Sequence, residues 1–572
     1  MGPLLGLLLS CGALAHVAAK ARGEADIIVL NGKIVTIMDD EGSVVQGMAI
    51  RDGRVVGVGS DSQISTFAGP ETMIVDLAGK TVLPGLIDVH THALEWAKGV
   101  VQGHINCGAR SIHSIADIVA RVKERAAKLP PGEWIVGAGW DDAKLAEHRY
   151  ILASDLDPVS ADNPVFLNHV SGHLAVINSA ALKFAGITRA TPDPEGGVIE
   201  HDGNGEPTGI IKETVMLPVM AKLPPTPPDL AMKAAEYVSR AALSLGLTTV
   251  HNIWLSPEDI RGYQQAYQHG QLKARILMSP CVNNVAESEE LLKTGVYTGF
   301  GDDQLKFGLV KIFTDGGMGA RTIAIYPPGV IGEPENIGVL RWTSGDLQKA
   351  HLMLARGGWQ LGTHAIGDRA IDQVLDSYQY VIKMLGLEDA RFRVIHAGIS
   401  TPGIQRRMHE LRVCVDGNPP FVYWIGSWFK KYGPERLRWT YPAKSYIENG
   451  VIEAAGSDVP VTPFSPWWGI WALVVRREQQ TDEVLAPEER LTIMEALRLY
   501  TRNGAYVGFE EKKKGSLEPG KLADFIVIDR DVLTVPPDEI KDTRVLQTYV
   551  GGQIVYDHDK DGPPPPEATG EA

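Results

Sequence analysis

Residues 83–92 read LPGLIDVHTH, an apolar and β-rich run that ends in two histidines two positions apart. In a strand, side chains two residues apart point to the same side, so His90 and His92 can offer imidazole nitrogens to one ion at the strand's carboxyl end. Two histidines at this spacing also occur without any metal, so the interpretation depends on the rest of the chain.

Short β-type runs alternate with helical patterns through the middle of the chain. Apolar residues at helical spacing predict crossover helices over 230–245 and 371–385. The alternation is typical of repeated βα units around a parallel sheet, and a barrel is its natural closure. There are nine candidate strands, one more than a (β/α)8 barrel holds, so at least one lies elsewhere: 81–89, 164–168, 248–253, 274–278, 306–313, 359–363, 391–395, 412–415 and 451–455.

Several of the later candidate strands carry or lead into a residue that can bind a metal. In chain order these residues are Lys311, His364, His396 and Asp458. The carboxyl ends of barrel strands form the catalytic face, so these side chains are expected to meet there with His90. The sequence therefore predicts a metal centre at one end of the barrel.

Lys311 is unusual because it lies inside the apolar run 309–313. An ammonium group buried beside cations is disfavoured unless its pKa falls or its charge changes. A lysine amine can add carbon dioxide to form a carbamate, whose two oxygens can bridge two metal ions. Beside the histidines we favour this carbamate over a lysine that extends its head group into solvent.

Two small β segments flank the central region. Turn signals such as Asn31-Gly32 and Asp52-Gly53 separate short predicted strands near the start, and a similar alternation of short strands and turns occurs after residue 524. We predict small β units at residues 24–80 and 510–558 on either side of a barrel at 81–509. A loop insertion is predicted at about 130–228, with its Pro/Gly-rich part at 192–228, and a disordered tail at 559–572.

Composition excludes several classes of protein. The net charge is −15 and no basic run is interleaved with aromatic residues, so nucleic acid is not an expected partner. The 4 cysteines are far apart, which gives no disulfide framework and no thiolate zinc site. After residue 19 no stretch reaches the roughly 18 apolar residues that a membrane-spanning helix needs.

The first 21 residues are predicted to be an export signal because 3–19 are apolar and are followed by Lys20. This makes the protein periplasmic or secreted. The absence of a basic residue before Lys20 leaves a buried or disordered N-terminus open, and 8–11 offer a lipoprotein-type anchoring box ending at Cys11.

The sequence resembles the metal-dependent amidohydrolase superfamily, specifically its amidohydrolase-3 or YtcJ-like branch, which includes proteins similar to N-substituted formamide deformylase. The resemblance extends from about residue 26 to residue 556. It rests on the following residues: 84–92, 165–167, 171–173, 178–179, 196–199, 311–316, 364–368, His396, 456–458 and 515–525.

This resemblance implies that residues 81–509 form a distorted TIM (β/α)8 barrel of a metal-dependent hydrolase and that residues 24–80 and 510–558 form one composite β-sandwich. It also implies that the metal ligands are His90, His92, Lys311 as carbamate, His364, His396 and Asp458. Zinc, about two ions per chain, suits these ligands, while manganese and iron also fit. The metal would activate water and Asp458 would move its proton to the leaving nitrogen.

Further candidates surround this centre. His173 is a candidate oxyanion or substrate ligand, and Trp140 with Asp141 can line the pocket. Arg321 can pair with a substrate carboxylate, and Asn418 lies just beyond the seventh strand. Asn418 departs from the glutamine that many relatives carry before this proline, which weakens any transfer of a relative's substrate.

The leading hypothesis is hydrolysis of a carbon–nitrogen bond in a small-molecule amide, formamide or N-acyl compound. A deaminase and a phosphoesterase of the same superfamily are alternatives, and Lys311 argues against a mononuclear deaminase. A non-catalytic binding or regulatory homologue is a further alternative. A homo-oligomer is compatible with the sequence.

Overall fold

The computed structural model describes residues 23–108, 112–194, 196–224, 227 and 229–570. The predicted export signal at 1–21, with Cys11, lies outside these residues. Within the described ranges, no helix combines the length and the apolar character needed to cross a membrane.

The strands, in chain order, are β1 (Ile27–Leu30), β2 (Lys33–Val35), β3 (Val44–Val45), β4 (Gly47–Arg51), β5 (Arg54–Gly59), β6 (Met73–Asp76), β7 (Thr81–Pro84), β8 (Leu86–Thr91), β9 (Ile105–Asn106), β10 (Ile135–Trp140), β11 (Val165–His169), β12 (Leu174–Ile177), β13 (Gly197–His201), β14 (Pro207–Glu213), β15 (Leu247–Leu255), β16 (Arg275–Pro280), β17 (Leu305–Phe307), β18 (Val310–Phe313), β19 (Leu361–Ala365), β20 (Arg393–His396), β21 (Cys414–Gly417), β22 (Glu453–Ala455), β23 (Phe525–Ile528), β24 (Val545–Val550) and β25 (Gln553–Asp557).

The helices of six or more residues are Ala93–Gln102, Ile115–Ala126, Ser179–Ala185, Leu230–Ser244, Pro257–Gln268, Val285–Lys293, Ser344–Arg356, Asp368–Leu385, Pro402–Glu410, Ala443–Glu448, Pro466–Val475, Ile493–Leu499 and Arg502–Val507. The helices predicted over 230–245 and 371–385 are confirmed. The second one ends at Gly386, whose φ of 63° is the left-handed cap that a glycine provides.

The fold is mixed α/β and contains two parallel sheets. One has the order β17-β16-β15-β8 and the other the order β18-β19-β20-β21-β22. The two sheets are joined by hydrogen bonds at both edges. After β16, Val282 N–H donates to the carbonyl of Lys311 on β18 (3.0 Å), and after β22, Asp458 N–H donates to the carbonyl of His90 on β8 (2.8 Å). The sheets thus meet at both edges but remain two separate ladders, so a closed barrel stays a prediction.

Much of the region that was predicted to be a loop insertion forms a separate six-stranded sheet instead. Its order is β13-β14-β12-β11-β10-β9, so the candidate strand 164–168 belongs here, which confirms that one of the nine lies elsewhere. The Pro/Gly-rich region is not only loops, because β13 and β14 form a hairpin inside it. Ile199, Ile210 and Ile211 are buried there, and these short strands gain their stability from cores that the sheet shares with its helices.

Both ends of the chain contribute to one sheet. Its order is β25-β24-β23-β7-β2-β3, and it shares a buried core with the four-stranded sheet β5-β4-β1-β6. Phe525 stacks on Tyr549 in that core, with ring centroids 4.2 Å apart. The predicted limits of this sandwich stay a prediction.

The tail after residue 558 is ordered as far as residue 570, so the prediction of disorder is wrong there. Short helices span His558–Asp561 and Pro566–Thr569, and Ala568 is buried. Ser465 N–H donates to the carbonyl of Ala568 (3.1 Å), and the indole of Trp468 donates to the carbonyl of Thr569 (3.1 Å). These contacts explain why a proline-rich sequence is held in place.

Arg393, the first residue of β20, forms a buried ion pair with Asp416 on β21 (2.5 Å) and donates to the carbonyl of Val89 on β8 (2.9 Å). Replacing Arg393 with methionine leaves an uncompensated buried carboxylate, so we expect a loss of about 3–5 kcal/mol in unfolding free energy, measured by denaturant unfolding. The exposed pair Lys293–Glu290 is the control, because Lys293→Met should cost less than about 1 kcal/mol. Equal effects of the two changes would contradict this role for Arg393.

Candidate metal centre

The predicted metal ligands gather at the carboxyl ends of the parallel strands. His90, Lys311, His364 and His396 lie on β8, β18, β19 and β20, while Asp458 follows β22. His92, His364, His396 and Asp458 line a cavity of about 2800 Å³. The pattern of strand ends therefore brings these residues together in space.

One group consists of His90, His396 and Asp458, whose ligand atoms lie within 4.8 Å of one another. Asp458 Oδ1 is 3.3 Å from His90 Nε2 and 3.2 Å from His92 Nε2. The ring centroids of His364 and His396 are 4.5 Å apart. Four imidazoles and a carboxylate thus converge on one region.

Local hydrogen bonds orient two of these rings. His364 Nε2 lies 3.1 Å from the carbonyl of Gly316, so donation there leaves Nδ1 as the free nitrogen. His396 Nδ1 lies 2.6 Å from Asn418 Oδ1, and donation to this oxygen leaves Nε2 free. Metal-bound histidines commonly have this kind of support on the second nitrogen.

Burial sets the charges in the centre. It holds the pKa of His90, His364 and His396 well below the usual value, which favours the neutral rings that metal binding requires. Burial alone would raise the pKa of Asp458, but its contacts with His92, His396 and Lys311 outweigh that effect and the pKa is lowered.

Lys311 is fully buried, and its ammonium lies 4.5 Å from the centroid of the Phe313 ring. Burial lowers the pKa of this lysine to about 8. Among the described residues its Nζ has no hydrogen-bond partner, and the same is true of His364 Nδ1 and both nitrogens of His90. Unpartnered donors and acceptors at this depth are costly, and a bound divalent cation with an anionic lysine adduct would satisfy them. The residues present therefore fit a metal.

His173 lies beside this group on the cavity wall. Its Nδ1 is 3.2 Å from both carboxylate oxygens of Glu213. A Cβ on Gly317 would lie only 2.9 Å from His173 Cδ2, so glycine is needed for this close approach. Glu213 was not predicted from the sequence, although it holds His173 in place.

The other predicted substrate residues are placed differently. Asp141 lines the cavity, but Trp140 is a core residue whose indole donates to the carbonyl of Leu167 (2.9 Å). Arg321 forms an ion pair with Glu333 beside a separate small cavity. The structure therefore places neither Trp140 nor Arg321 among the residues that line the cavity at the metal centre.

Asn418 is a positioning residue, not a substrate contact. It is fully buried, and its amide donates to the carbonyl of Gly456 (3.3 Å) while its oxygen holds His396. It was singled out from the sequence, but its role could be assigned only from these contacts.

Replacing Asn418 with alanine frees the His396 ring, so we expect metal affinity to fall by about 10–100-fold. Competition with a chromogenic chelator measures this change. Asn449→Ala is the matched control, because Asn449 bonds Gln405 and the carbonyl of Ser445 away from the centre. Unchanged metal affinity in the Asn418 variant would contradict the positioning role.

Comparison with solved structures gives the class of the protein. The chain is similar to the crystal structure of an uncharacterized metal-dependent hydrolase from Pyrococcus horikoshii OT3, with a TM-score of 0.71 and 26% identity over 90% of this chain and 99% of that one. Together with the observed α/β sheets and the gathered histidines, this similarity places the protein among the metal-dependent hydrolases.

The family model described as "Amidohydrolase family" matches residues 73–556. The chain is 30% identical to YtcJ of Bacillus subtilis (strain 168), itself described as a candidate amidohydrolase, over 92% of this chain and 99% of that one. It is 28% identical to N-substituted formamide deformylase of Arthrobacter pascens over 93% of this chain and 98% of the relative. The protein belongs to the amidohydrolase family, which confirms the resemblance stated from its sequence.

Proposed function

We propose that this protein hydrolyses the carbon–nitrogen bond of a small-molecule amide, formamide or N-acyl compound. The observation that carries the proposal is the buried, unpartnered Lys311 amine beside the histidines and Asp458. A relative named N-substituted formamide deformylase, matched over nearly its full length, supports the choice of bond.

The proposal includes a distorted (β/α)8 barrel and about two zinc ions bridged by a carbamate on Lys311. The lysine amine would add carbon dioxide, forming a nitrogen–carbon bond and losing one proton. A pKa of about 8 leaves part of the amine neutral near physiological pH, which favours this addition. His90, His92, His364, His396 and Asp458 would supply the remaining ligands.

When bound, the metal lowers the pKa of water and polarises the substrate carbonyl. Asp458 accepts the proton of the attacking water and donates it to the leaving nitrogen. His173, which Glu213 holds on the cavity wall, would donate a hydrogen bond to the carbonyl oxygen as negative charge develops there.

The test is turnover by the metal-loaded protein on four substrate types, paired with a chelator-treated control. The substrates are N-substituted formamides, N-acyl amines, adenine and an aryl phosphate. Metal-dependent release of equal amounts of carboxylate and amine supports the proposal. Release of ammonia from adenine alone favours the deaminase, release of phosphate alone favours the phosphoesterase, and no turnover favours the non-catalytic homologue.

A further inference from the structure

Arg341 lies on the cavity wall next to the metal centre. Its backbone N–H donates to the carbonyl of Thr314 (2.9 Å), directly after the strand that carries Lys311. Its Cζ is 5.5 Å from the centroid of the Phe313 ring, and that ring is 5.0 Å from the ring of His364. The backbone of Arg341 is thus fixed beside this strand, and its exposed guanidinium lies over Phe313 on the wall of the same cavity.

The Arg341 guanidinium forms no ion pair within the part of the chain that the structure describes, although its charge acts on the nearby Glu213 carboxylate. No carboxylate there lies within ion-pair distance of it, whereas the neighbouring Glu213 contacts His173. Two lysines on the cavity wall are paired with carboxylates, Lys98 with Asp259 (2.5 Å) and Lys144 with Asp141 (3.9 Å). Arg341 therefore presents an available cation close to the centre.

The wall beside this cation is aromatic. Trp254 is 56% exposed and lines the cavity, and its ring centroid is 5.2 Å from that of Phe313 and 5.8 Å from that of His92. An exposed tryptophan in a cavity offers a flat apolar surface to a ligand. The site thus combines a guanidinium, an apolar face and the metal ligands.

We propose that Arg341 binds a carboxylate on the substrate, so that the substrates are amides carrying both a carboxylate and an apolar group, such as N-formyl or N-acyl derivatives of apolar amino acids. The planar guanidinium can hold a carboxylate through two parallel hydrogen bonds. Trp254 and Phe313 would contact the apolar group. As a statement about substrates, this inference rests on the proposed function.

Binding is tested with phenylpropanoate and phenylpropanol, which differ in charge and contain no scissile amide. Calorimetry on the metal-loaded protein should give a lower Kd for the carboxylate than for the alcohol. In Arg341→Met this preference should fall by about 10–100-fold, with the alcohol unchanged. Arg341→Lys should keep part of it, and Arg356→Met, on an exposed helix outside the cavity, should keep all of it.

Turnover then separates this inference from the proposed function. Wild type should cleave N-formylphenylalanine with a higher kcat/KM than N-phenethylformamide, and Arg341→Met should lose only the advantage of the acid. A carboxylate preference that survives in Arg341→Met overturns the inference while leaving hydrolysis intact. An Arg341-dependent preference without hydrolysis of any amide overturns the proposed function and leaves an anion-binding site.

Discussion

Asp458→Asn is expected to lower kcat by about 1000-fold while metal content changes little. Asp458 is 5% exposed, and its Oδ1 lies 3.3 Å from His90 Nε2 and 3.2 Å from His92 Nε2. Asparagine keeps the shape and one oxygen of this side chain, so the surrounding rings keep their positions. It cannot accept the proton of the attacking water, so the chemical step loses its base.

Single-turnover kinetics and elemental analysis on the same preparation measure the two quantities separately. Asp482→Asn is the matched control, because the Asp482 side chain is 81% exposed and pairs only with Arg477 at the surface. Its kcat should equal that of the wild type. Full activity of Asp458→Asn would show that the proton is moved by another group.

The metal centre could be predicted because the period of a strand and the position of its carboxyl end are local properties. His90 and the residues that end later strands are placed by the same rule, and the structure brings them together. Asp458 follows from this rule as well. The predicted parallel βα arrangement was needed as well, because it brings the carboxyl ends of the strands to one edge, and the full ligand set came from the family resemblance.

Trp140 and Arg321 depend on features that a local pattern does not contain. The pairing of β10 with β11 shifts register between Ala138 and Trp140, and the indole is buried while Asp141 reaches the cavity. Arg321 and Arg341 lie in one long connection after β18. Only a long-range hydrogen bond, from Arg341 to Thr314, determines that the second arginine faces the centre.

The insertion and the tail were missed for a related reason. The strands β13 and β14 are short and rich in turn residues, and the helix Pro566–Thr569 has only four residues. Neither is stable alone, and each is held by surfaces that come from distant parts of the chain. For this reason the sequence predicted a loop for the region of β13 and β14, and disorder for the tail.

Lys311→Ala is expected to remove most of the bound metal and to lower kcat by about 1000-fold, because the variant cannot form the proposed carbamate that would help to hold the metal. Elemental analysis and turnover of wild type and variant, purified identically, measure this. Lys560→Ala, at a side chain that is 75% exposed, should change neither quantity.

Added short carboxylic acids should restore part of both quantities in Lys311→Ala, because alanine leaves a buried space lined by His90 and Asp458 into which two carboxylate oxygens can enter. Lys311→Arg should lose metal equally but gain nothing from the acids, because its side chain fills that space and stays charged. Full metal content in Lys311→Ala would remove lysine from the ligand set and favour a mononuclear, deaminase-type centre. If Lys311→Ala loses metal and the acids do not restore it, Lys311 is needed for metal binding but not as a carbamate. The reason is that the acids replace the carboxylate oxygens of the carbamate and no other property of lysine.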